Sequence, residues 1–302
     1  MSESTTRTAP NPTCELFKYR AVNEYTLDFL NTGAVYFSSP AEFNDPFDTR
    51  FVERDLRAQQ QRFERDRRVL GTDAALLGVA MMNVFEREHR AGGVKTRIYC
   101  VSEIVDSILM WSHYADSHRG ICVVLEAEHV GEPWWIWIPF AGCSVSLAGL
   151  KRIRTAADGR VDTVDDVEPS PSERVVMLSA QQVLYRDQAP GLFMFDPPSD
   201  GPMRSVTFEV VKHTAWAYER ERRVVVRESF LAENPAHLSS DAIVGVVFGM
   251  KIPKADVLRV RAAIDRCARA RPIAYSRMIG RPDGFALDRV PVPDIDEFIR
   301  SL

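Results

Sequence analysis

Residues 108–126 constrain the fold most strongly, because a helix, a stop and a strand follow one another within this short stretch. At a helical period, Ile108 and Trp111 lie on one side while Leu109 and His113 lie on the other. Apolar side chains on two sides are typical of a helix that is covered from both directions. The pattern therefore predicts a buried helix.

The same stretch predicts how that helix ends. Gly120 is expected to take the left-handed position after the last turn, and residues 121–125 form an apolar run typical of a fully covered strand. A helix covered on two sides needs partners from elsewhere in the chain. Segments 16–48 and 212–226 mix aromatic and polar residues in the same way, so we expect the three segments to meet.

The composition is that of an ordinary globular protein. The chain has 302 residues, of which 45% are hydrophobic and 26% charged. A formal net charge of −4 provides no global positive field for nucleic acid, although a local basic groove stays open.

Cysteine usage indicates a reducing compartment. The five cysteines are an odd number without a Cys-x-x-Cys pair, so no disulfide framework is expected. Residues 1–13 lack an apolar segment and are predicted to be a disordered leader without a secretion signal. The sequence thus predicts a cytoplasmic protein.

Residues 133–150 form an uncharged stretch as long as a membrane helix. Two prolines and two glycines interrupt it, at Pro133, Pro139, Gly142 and Gly149. We therefore predict two buried strands around a turn and no membrane partner.

The order of patterns along the chain favours a single α+β domain. Strand patterns at residues 15–20, 34–38 and 97–101 alternate with helical ones, and the last of these runs over residues 254–269. The charged helical pattern at about residues 53–92 is predicted to be an insertion. The domain is expected to span residues 14–302.

Several common site signatures are absent from the sequence. It has no Gly-x-x-x-x-Gly-Lys phosphate loop, no Gly-x-Gly-x-x-Gly, no His-Glu-x-x-His and no Gly-x-Ser-x-Gly. The common nucleotide-binding folds and hydrolase folds lose support.

A set of short motifs resembles the bacterial family called domain of unknown function 2971. The motifs run in family order over most of the chain. They are Leu16-Phe17-Lys18-Tyr19-Arg20, Val35-Tyr36-Phe37-Ser38-Ser39-Pro40, Phe43-Asn44-Asp45-Pro46-Phe47-Asp48, Met110-Trp111-Ser112-His113-Tyr114-Ala115, His118-x-Gly120, Val183-x-Tyr185, Trp216-x-Tyr218-Glu219-x-Glu221-x-Arg223 and Val247-Phe248-Gly249. This resemblance implies no particular activity.

A weaker resemblance is to the ADP-ribosyltransferase-like superfamily. It depends on Arg20 at the end of a strand, on Ser38 and Ser39 at the end of the next, and on Glu219-x-Glu221 before a valine-rich strand. The resemblance implies an α+β fold with a split mixed or antiparallel β-sheet and a cleft that binds NAD. The serine motif departs from the family pattern, because Pro40 follows and no threonine is present.

The chemistry of NAD cleavage gives these residues roles. Breaking the bond between nicotinamide and ribose develops an oxocarbenium-like centre, which a carboxylate stabilises. Glu221 is assigned that role, with Glu219 beside it on the same face of a strand. Arg20 is expected to clamp the pyrophosphate, and Ser38 to bind the ribose.

The remaining predicted contacts surround the nicotinamide. Tyr36, Trp111 or Tyr114 would stack on its ring, and three further residues are expected at the NAD site, Ser39, Asn44 and His113. NAD is the expected substrate, and no metal is expected. The acceptor would be a protein or a nucleic acid, as for a bacterial toxin or phage-defence effector, with a cognate inhibitor or a second copy of the chain as further partners.

Each assignment has a structural alternative. The charged residues 219–223 could form an edge strand whose charges only face solvent, and Arg20 could pair with one of these glutamates. Ser38 could serve a turn, as could Asn44 and Asp45. His113 and His118 could be hydrogen-bonded buried histidines, projecting from opposite sides of the helix.

Two other functions stay open. Asn44, Asp45, Asp48 and His113 offer oxygen ligands and a base for a metal-dependent nuclease or other hydrolase. The chain could also be a binding module without catalysis.

Overall fold

The computed structural model describes residues 13–50, 68, 95–129, 136–141, 152–155, 161–164, 175–190, 193–196, 204–267, 269 and 271–302. Apart from Thr13 and Arg68, the predicted leader and the predicted helical insertion lie outside these residues. Every helix in these ranges is too short or too polar to cross a bilayer.

The elements are numbered in chain order. The strands are β1 Thr13–Arg20, β2 Ala34–Val35, β3 Thr96–Ser102, β4 Ile121–His129, β5 Ile136–Ala141, β6 Arg152–Thr155, β7 Val161–Val164, β8 Val175–Gln182, β9 Leu184–Tyr185, β10 Phe193–Asp196, β11 Arg204–Thr207, β12 Val211–Lys212, β13 Glu221–Arg227, β14 Ala236–His237, β15 Ile243–Phe248, β16 Ala274–Gly280 and β17 Leu287–Pro291. The α-helices are α1 Glu24–Thr32, α2 Ile108–Tyr114, α3 Lys254–Asp265 and α4 Ile295–Ser301.

The predicted split-sheet α+β fold of the ADP-ribosyltransferase type is wrong. The chain is mostly β, and six antiparallel strands close into a barrel in the order β1, β3, β13, β8, β5, β4. Closure depends on β4, which pairs with β1 from Ile121 to Glu128 on one edge and meets β5 through Glu128 and His129. The pairing of β4 with β1 joins segments far apart in sequence, and the alternation within each strand does not reveal it.

Three further strands extend the sheet from the barrel. The first half of β4 also pairs with β15, and β16 and β17 follow beside it. The parallel pair β15 and β16 is connected through α3, which packs on α1. The predicted helix from Lys254 is confirmed, although it ends at Asp265.

The helix predicted within residues 108–126 is shorter than expected, and Gly120 does not end it. α2 stops at Tyr114, and the left-handed residues are Asp116, Ser117 and His118. Gly120 is needed for space, because a Cβ there would lie 2.2 Å from the carbonyl oxygen of Arg20.

Gly249 has the same role at the neighbouring strand end. A Cβ on this residue would lie 2.2 Å from the carbonyl oxygen of His118, and its backbone N–H donates to the carbonyl of Gly120. The two glycines therefore let three backbone segments touch where α2 meets the sheet.

The strands separate the two main apolar clusters of the described residues. The larger one fills the barrel and extends under α1 and α3, and it includes Leu16, Tyr99, Leu125 and Val224. The smaller one covers the outer face of β1 and β4 and includes Phe17, Tyr19 and Trp111. The predicted buried strand within residues 133–150 is confirmed for β5, where Ile136, Ile138 and Phe140 are buried.

Candidate active site

A cavity of about 190 Å³ lies on the outer face of β1, β3 and β13. Phe17, Tyr19 and Met110 form part of its apolar wall, and two residues of the segment after β2, Asn44 and Asp48, also line it. The volume is below the range of about 300–1,000 Å³ typical of pockets for drug-sized ligands. This cavity, called the site cavity below, therefore suits a compact ligand or one end of a larger one.

Strand register brings polar groups to this face. Glu221 pairs with Ser102, and Arg223 pairs with Cys100, so alternate residues of β13 and β3 point into the site cavity. The structural alternative of an edge strand is wrong, because β13 lies between β3 and β8.

Five charged side chains form a buried cluster against the site cavity. Each of these residues is less than 8% exposed, and the five are Asp48, Lys212, Glu219, Glu221 and Arg223. Charged groups buried this close together are tolerated only when each is paired with an opposite charge and hydrogen-bonded. This set is called the charge cluster below.

Arg223 is fully satisfied. Its Nε and Nη2 donate to the two oxygens of Glu221 at 2.8 and 3.0 Å, and its Nη1 and Nη2 donate to the oxygens of Asp48 at 2.8 and 2.6 Å. Nη1 also donates to the carbonyl oxygen of Glu209 at 2.6 Å. All five guanidinium N–H groups are thus used within the protein. Arg223 holds Asp48 and Glu221 in place and has no donor left for a ligand.

Glu221 is correspondingly fixed as an anion. Its Oε2 accepts from Lys212 Nζ at 3.2 Å in addition to Arg223. Burial would raise the pKa of Glu221, but the positive charges of Arg223 and Lys212 lower it to about 2. A carboxylate held this firmly is a poor proton donor or acceptor near neutral pH.

Glu219 differs from Glu221 although both bind the same lysine. It is the last residue of a 3₁₀ helix, Thr214–Glu219, and the left-handed Arg220 separates it from β13. The prediction that both glutamates lie on one face of a strand is therefore wrong. Its Oε2 accepts from Lys212 at 2.5 Å, and its Oε1 accepts from the Tyr114 hydroxyl at 2.6 Å.

The environment of Glu219 raises the pKa of its carboxyl. Burial raises the pKa of Glu219, and the attraction of Lys212 offsets this only in part. Burial would lower the pKa of Lys212, but Glu221 and Glu219 raise it, so the lysine stays charged. Glu219 is consequently the carboxylate of the cavity best suited to exchange a proton.

Tyr114 connects Glu219 to the opposite side of the site cavity. Burial and the bond to Glu219 raise the pKa of its hydroxyl, while a hydrogen bond from Asn44 opposes that shift. The tyrosine therefore stays neutral and acts as a donor to Glu219.

Six of the predicted site residues line this one cavity, namely Tyr36, Ser38, Asn44, Tyr114, Glu219 and Glu221. The interpretation of Ser38 as a turn residue is wrong. Its backbone pairs like that of a strand, because it exchanges two 2.9 Å hydrogen bonds with Ile98. Tyr36 is half exposed, and its hydroxyl donates to Glu42 at 3.0 Å.

The other four predicted residues lie elsewhere. Ser39 caps the short 3₁₀ helix Pro40–Glu42. Trp111 is fully buried, and its Nε1 donates to the carbonyl of Val105 at 2.6 Å, so it cannot stack on a ligand. His113 is exposed, and Arg20 does not line the site cavity.

The residues of the predicted nuclease site are engaged in other contacts. Asp48 is bound by Arg223, and Asp45 accepts a turn hydrogen bond from the backbone of Phe47 at 2.8 Å. No group of three His, Cys, Asp or Glu side chains able to hold a metal occurs within the described ranges. His118 is partly buried, with its Nε2 3.2 Å from the hydroxyl oxygen of Ser112.

Sequence reasoning missed Lys18, Lys212 and Arg223. Lysine is rare in this arginine-rich chain, with six residues in all, and two of them, Lys18 and Lys212, follow apolar residues at strand positions. A scarce cation inside an apolar pattern indicates a buried charge with a specific partner.

No family model, curated protein or solved structure matched the chain. The resemblances of the motifs therefore stay predictions.

Proposed function

We propose that the protein is an enzyme that acts on a small molecule in the site cavity, with Glu219 as its proton-transfer group. The observation that carries this proposal is the contrast within the charge cluster. Glu221 is held as an anion by Arg223 and Lys212, while Glu219 has a raised pKa and faces the same cavity. Pairs of carboxylates whose environments separate their pKa values are typical of acid–base catalysis.

The surrounding side chains have defined roles in this proposal. Tyr114 orients the Glu219 carboxyl through its 2.6 Å hydrogen bond, and Lys212 stabilises the anionic form that accepts the proton. Asp48, Glu221 and Arg223 form the rigid base on which Lys212 is fixed. A group held by packed neighbours loses little entropy when it reacts.

The substrate bond that we propose is the bond between nicotinamide and ribose in NAD. Tyr36, Ser38 and Asn44 line the cavity together with both glutamates, which supports a site for a ring and a sugar. As the bond breaks, nicotinamide would leave as a neutral ring with the bonding electrons, and the fixed anionic charge of Glu221 would stabilise the oxocarbenium-like ribose. Ionised Glu219 would accept the proton of the attacking hydroxyl. The fold gives no support here, because the split sheet of the ADP-ribosyltransferase type is absent.

A macromolecular acceptor, as in a toxin or defence effector, and a cytoplasmic location are part of this proposal. If water takes the place of the acceptor, the same site would hydrolyse NAD. The nuclease alternative gains no support from Asp45 and Asp48, whose carboxylates are engaged within the protein.

The experiment is incubation of the full-length chain with NAD labelled in the nicotinamide ring. Wild type should release nicotinamide, and Glu219→Gln should lower the rate at least 100-fold, as expected for loss of a general acid–base group. Glu228→Gln is the matched control, because Glu228 pairs with Arg97 on the surface. An equal rate for Glu219→Gln and wild type would contradict the role of Glu219, and NAD binding without release would indicate a binding module.

A further inference from the structure

Arg20 is in an unusual environment for an arginine. It ends β1, with Cζ 4.9 Å from the centre of the Phe29 ring, and its Nε is fully buried without a hydrogen-bond partner among the described residues. Within the same ranges, no carboxylate pairs with it. The structural alternative in which Arg20 pairs with Glu219 or Glu221 is therefore wrong.

Tyr99 lies close to Arg20 and is also unsatisfied. It is 1% exposed, and its hydroxyl has no hydrogen-bond partner within the described part of the chain. Arg20 and Tyr99 are near enough for each to influence the pKa of the other. A buried hydroxyl and a buried guanidinium nitrogen without partners together indicate a missing acceptor.

Lys18 is a second cation close to Tyr99. It lies two residues before Arg20 on β1 and so on the same side of the strand. Its Nζ donates to the carbonyl of Cys100 at 2.6 Å and lies 4.8 Å from the centre of the Tyr99 ring. No carboxylate of the described chain pairs with this ammonium. Burial lowers the pKa of Lys18, as expected for a charge without a counter-ion.

The two cations of the charge cluster differ from Lys18 and Arg20 because they are paired with carboxylates. Lys212 and Arg223 have carboxylates at 2.5 to 3.2 Å, while Lys18 and Arg20 have none in the described residues. Unpaired cations inside a fold destabilise it unless a ligand compensates.

We infer that Lys18, Arg20 and Tyr99 form a binding site for a small oxyanion, a phosphate or a carboxylate. Tyr99 belongs to the cluster that fills the barrel, so this site lies on the barrel side of β1 and β3, and the partly exposed Arg20 at the end of β1 makes it reachable from solvent. An ammonium, a guanidinium and a hydroxyl supply donors of the type that bind phosphate and carboxylate. The inference goes beyond the proposed function and does not depend on it.

The test is thermal unfolding of the full-length chain with inorganic phosphate, succinate or sodium chloride at matched ionic strength. Phosphate or succinate should raise the Tm above that in chloride, because an anion bound only to the folded state stabilises it. Arg20→Met and Lys18→Met should each raise the Kd of that anion at least tenfold. Arg97→Met is the control, since Arg97 already pairs with Glu228 at 2.6 Å.

A second readout separates binding from structure. Without added anion, Arg20→Met should unfold at the same or a higher Tm than wild type, because the substitution removes an unpaired charge. A merely structural arginine would lower it. Equal stabilisation of wild type and both variants by the anion, or none of wild type, would overturn the inference. Glu219→Gln should retain the anion effect, so a failure of Glu219 catalysis leaves this result unaffected and the two proposals can be judged separately.

Discussion

Glu219 and Glu221 bind the same ammonium, Lys212 Nζ, at 2.5 and 3.2 Å, yet their pKa values shift in opposite directions. Arg223 makes the difference, because it contacts both oxygens of Glu221 and has no bond to Glu219. One carboxylate is thus a fixed anion and the other a group that can gain and lose a proton.

Arg223→Met should destabilise the fold by about 3–5 kcal/mol, because it leaves Asp48 and Glu221 as buried carboxylates without their main counter-ion. Chemical denaturation of both proteins measures the difference. Arg97→Met is the control, since a half-exposed pair contributes about 1 kcal/mol or less. A loss no larger than in the control would contradict the clamp role of Arg223.

Glu221 should contribute to acid unfolding. Its folded pKa of about 2 lies below the ordinary 4.5, so its stabilisation is present above pH 4.5 and is lost as the pH falls towards 2. The gap corresponds to about 3 kcal/mol. Denaturation of wild type and Glu221→Gln between pH 2 and 6 should show this loss in wild type alone. Parallel curves would count against it.

Tyr114→Phe should shift the pH profile of turnover. Removing the hydroxyl takes away a hydrogen bond that lowers the pKa of Glu219, so that pKa should rise further. The limb of the profile that reports Glu219 should move to higher pH. A reduced rate with an unmoved limb would show that Tyr114 does not act through Glu219.

Gly120→Ala and Gly249→Ala should each destabilise the fold by about 1–3 kcal/mol or more, because the added methyl group would overlap a backbone oxygen at 2.2 Å. Gly284→Ala is the control, since a Cβ there meets nothing within 4 Å. Thermal unfolding compares the three. Tolerance of all three substitutions would mean that the backbone contact is not tight.

Local patterns predicted the individual strands better than their assembly. The apolar run of β4 was evident, since both of its faces are covered. The barrel was not predictable from these patterns, because β1 closes it through β4 and β3, about 100 and 80 residues away along the chain. The split-sheet expectation relied on the order of elements, which several folds share.

The sequence predicted several residues of the site but not the contacts that set their roles. Aromatic and polar residues in short motifs indicated Tyr36, Ser38 and Tyr114, and the Glu-x-Glu motif indicated both glutamates. Their different roles depend on Arg223 and Lys212, whose distances to each carboxylate appear only in three dimensions. Alternation along a strand also could not show that Arg220 adopts a left-handed conformation and detaches Glu219 from β13.

The titration of Glu219 tests most directly whether the two glutamates of the charge cluster differ in pKa. Carbon-13 NMR of glutamate carboxyls, with the signal assigned by its absence from Glu219→Gln, follows this group as the pH is varied. Glu219 should titrate above the ordinary value of 4.5, and the Glu221 signal should remain that of an ionised carboxylate to about pH 2. A Glu219 carboxyl that titrates at or below 4.5 would contradict its role in proton transfer.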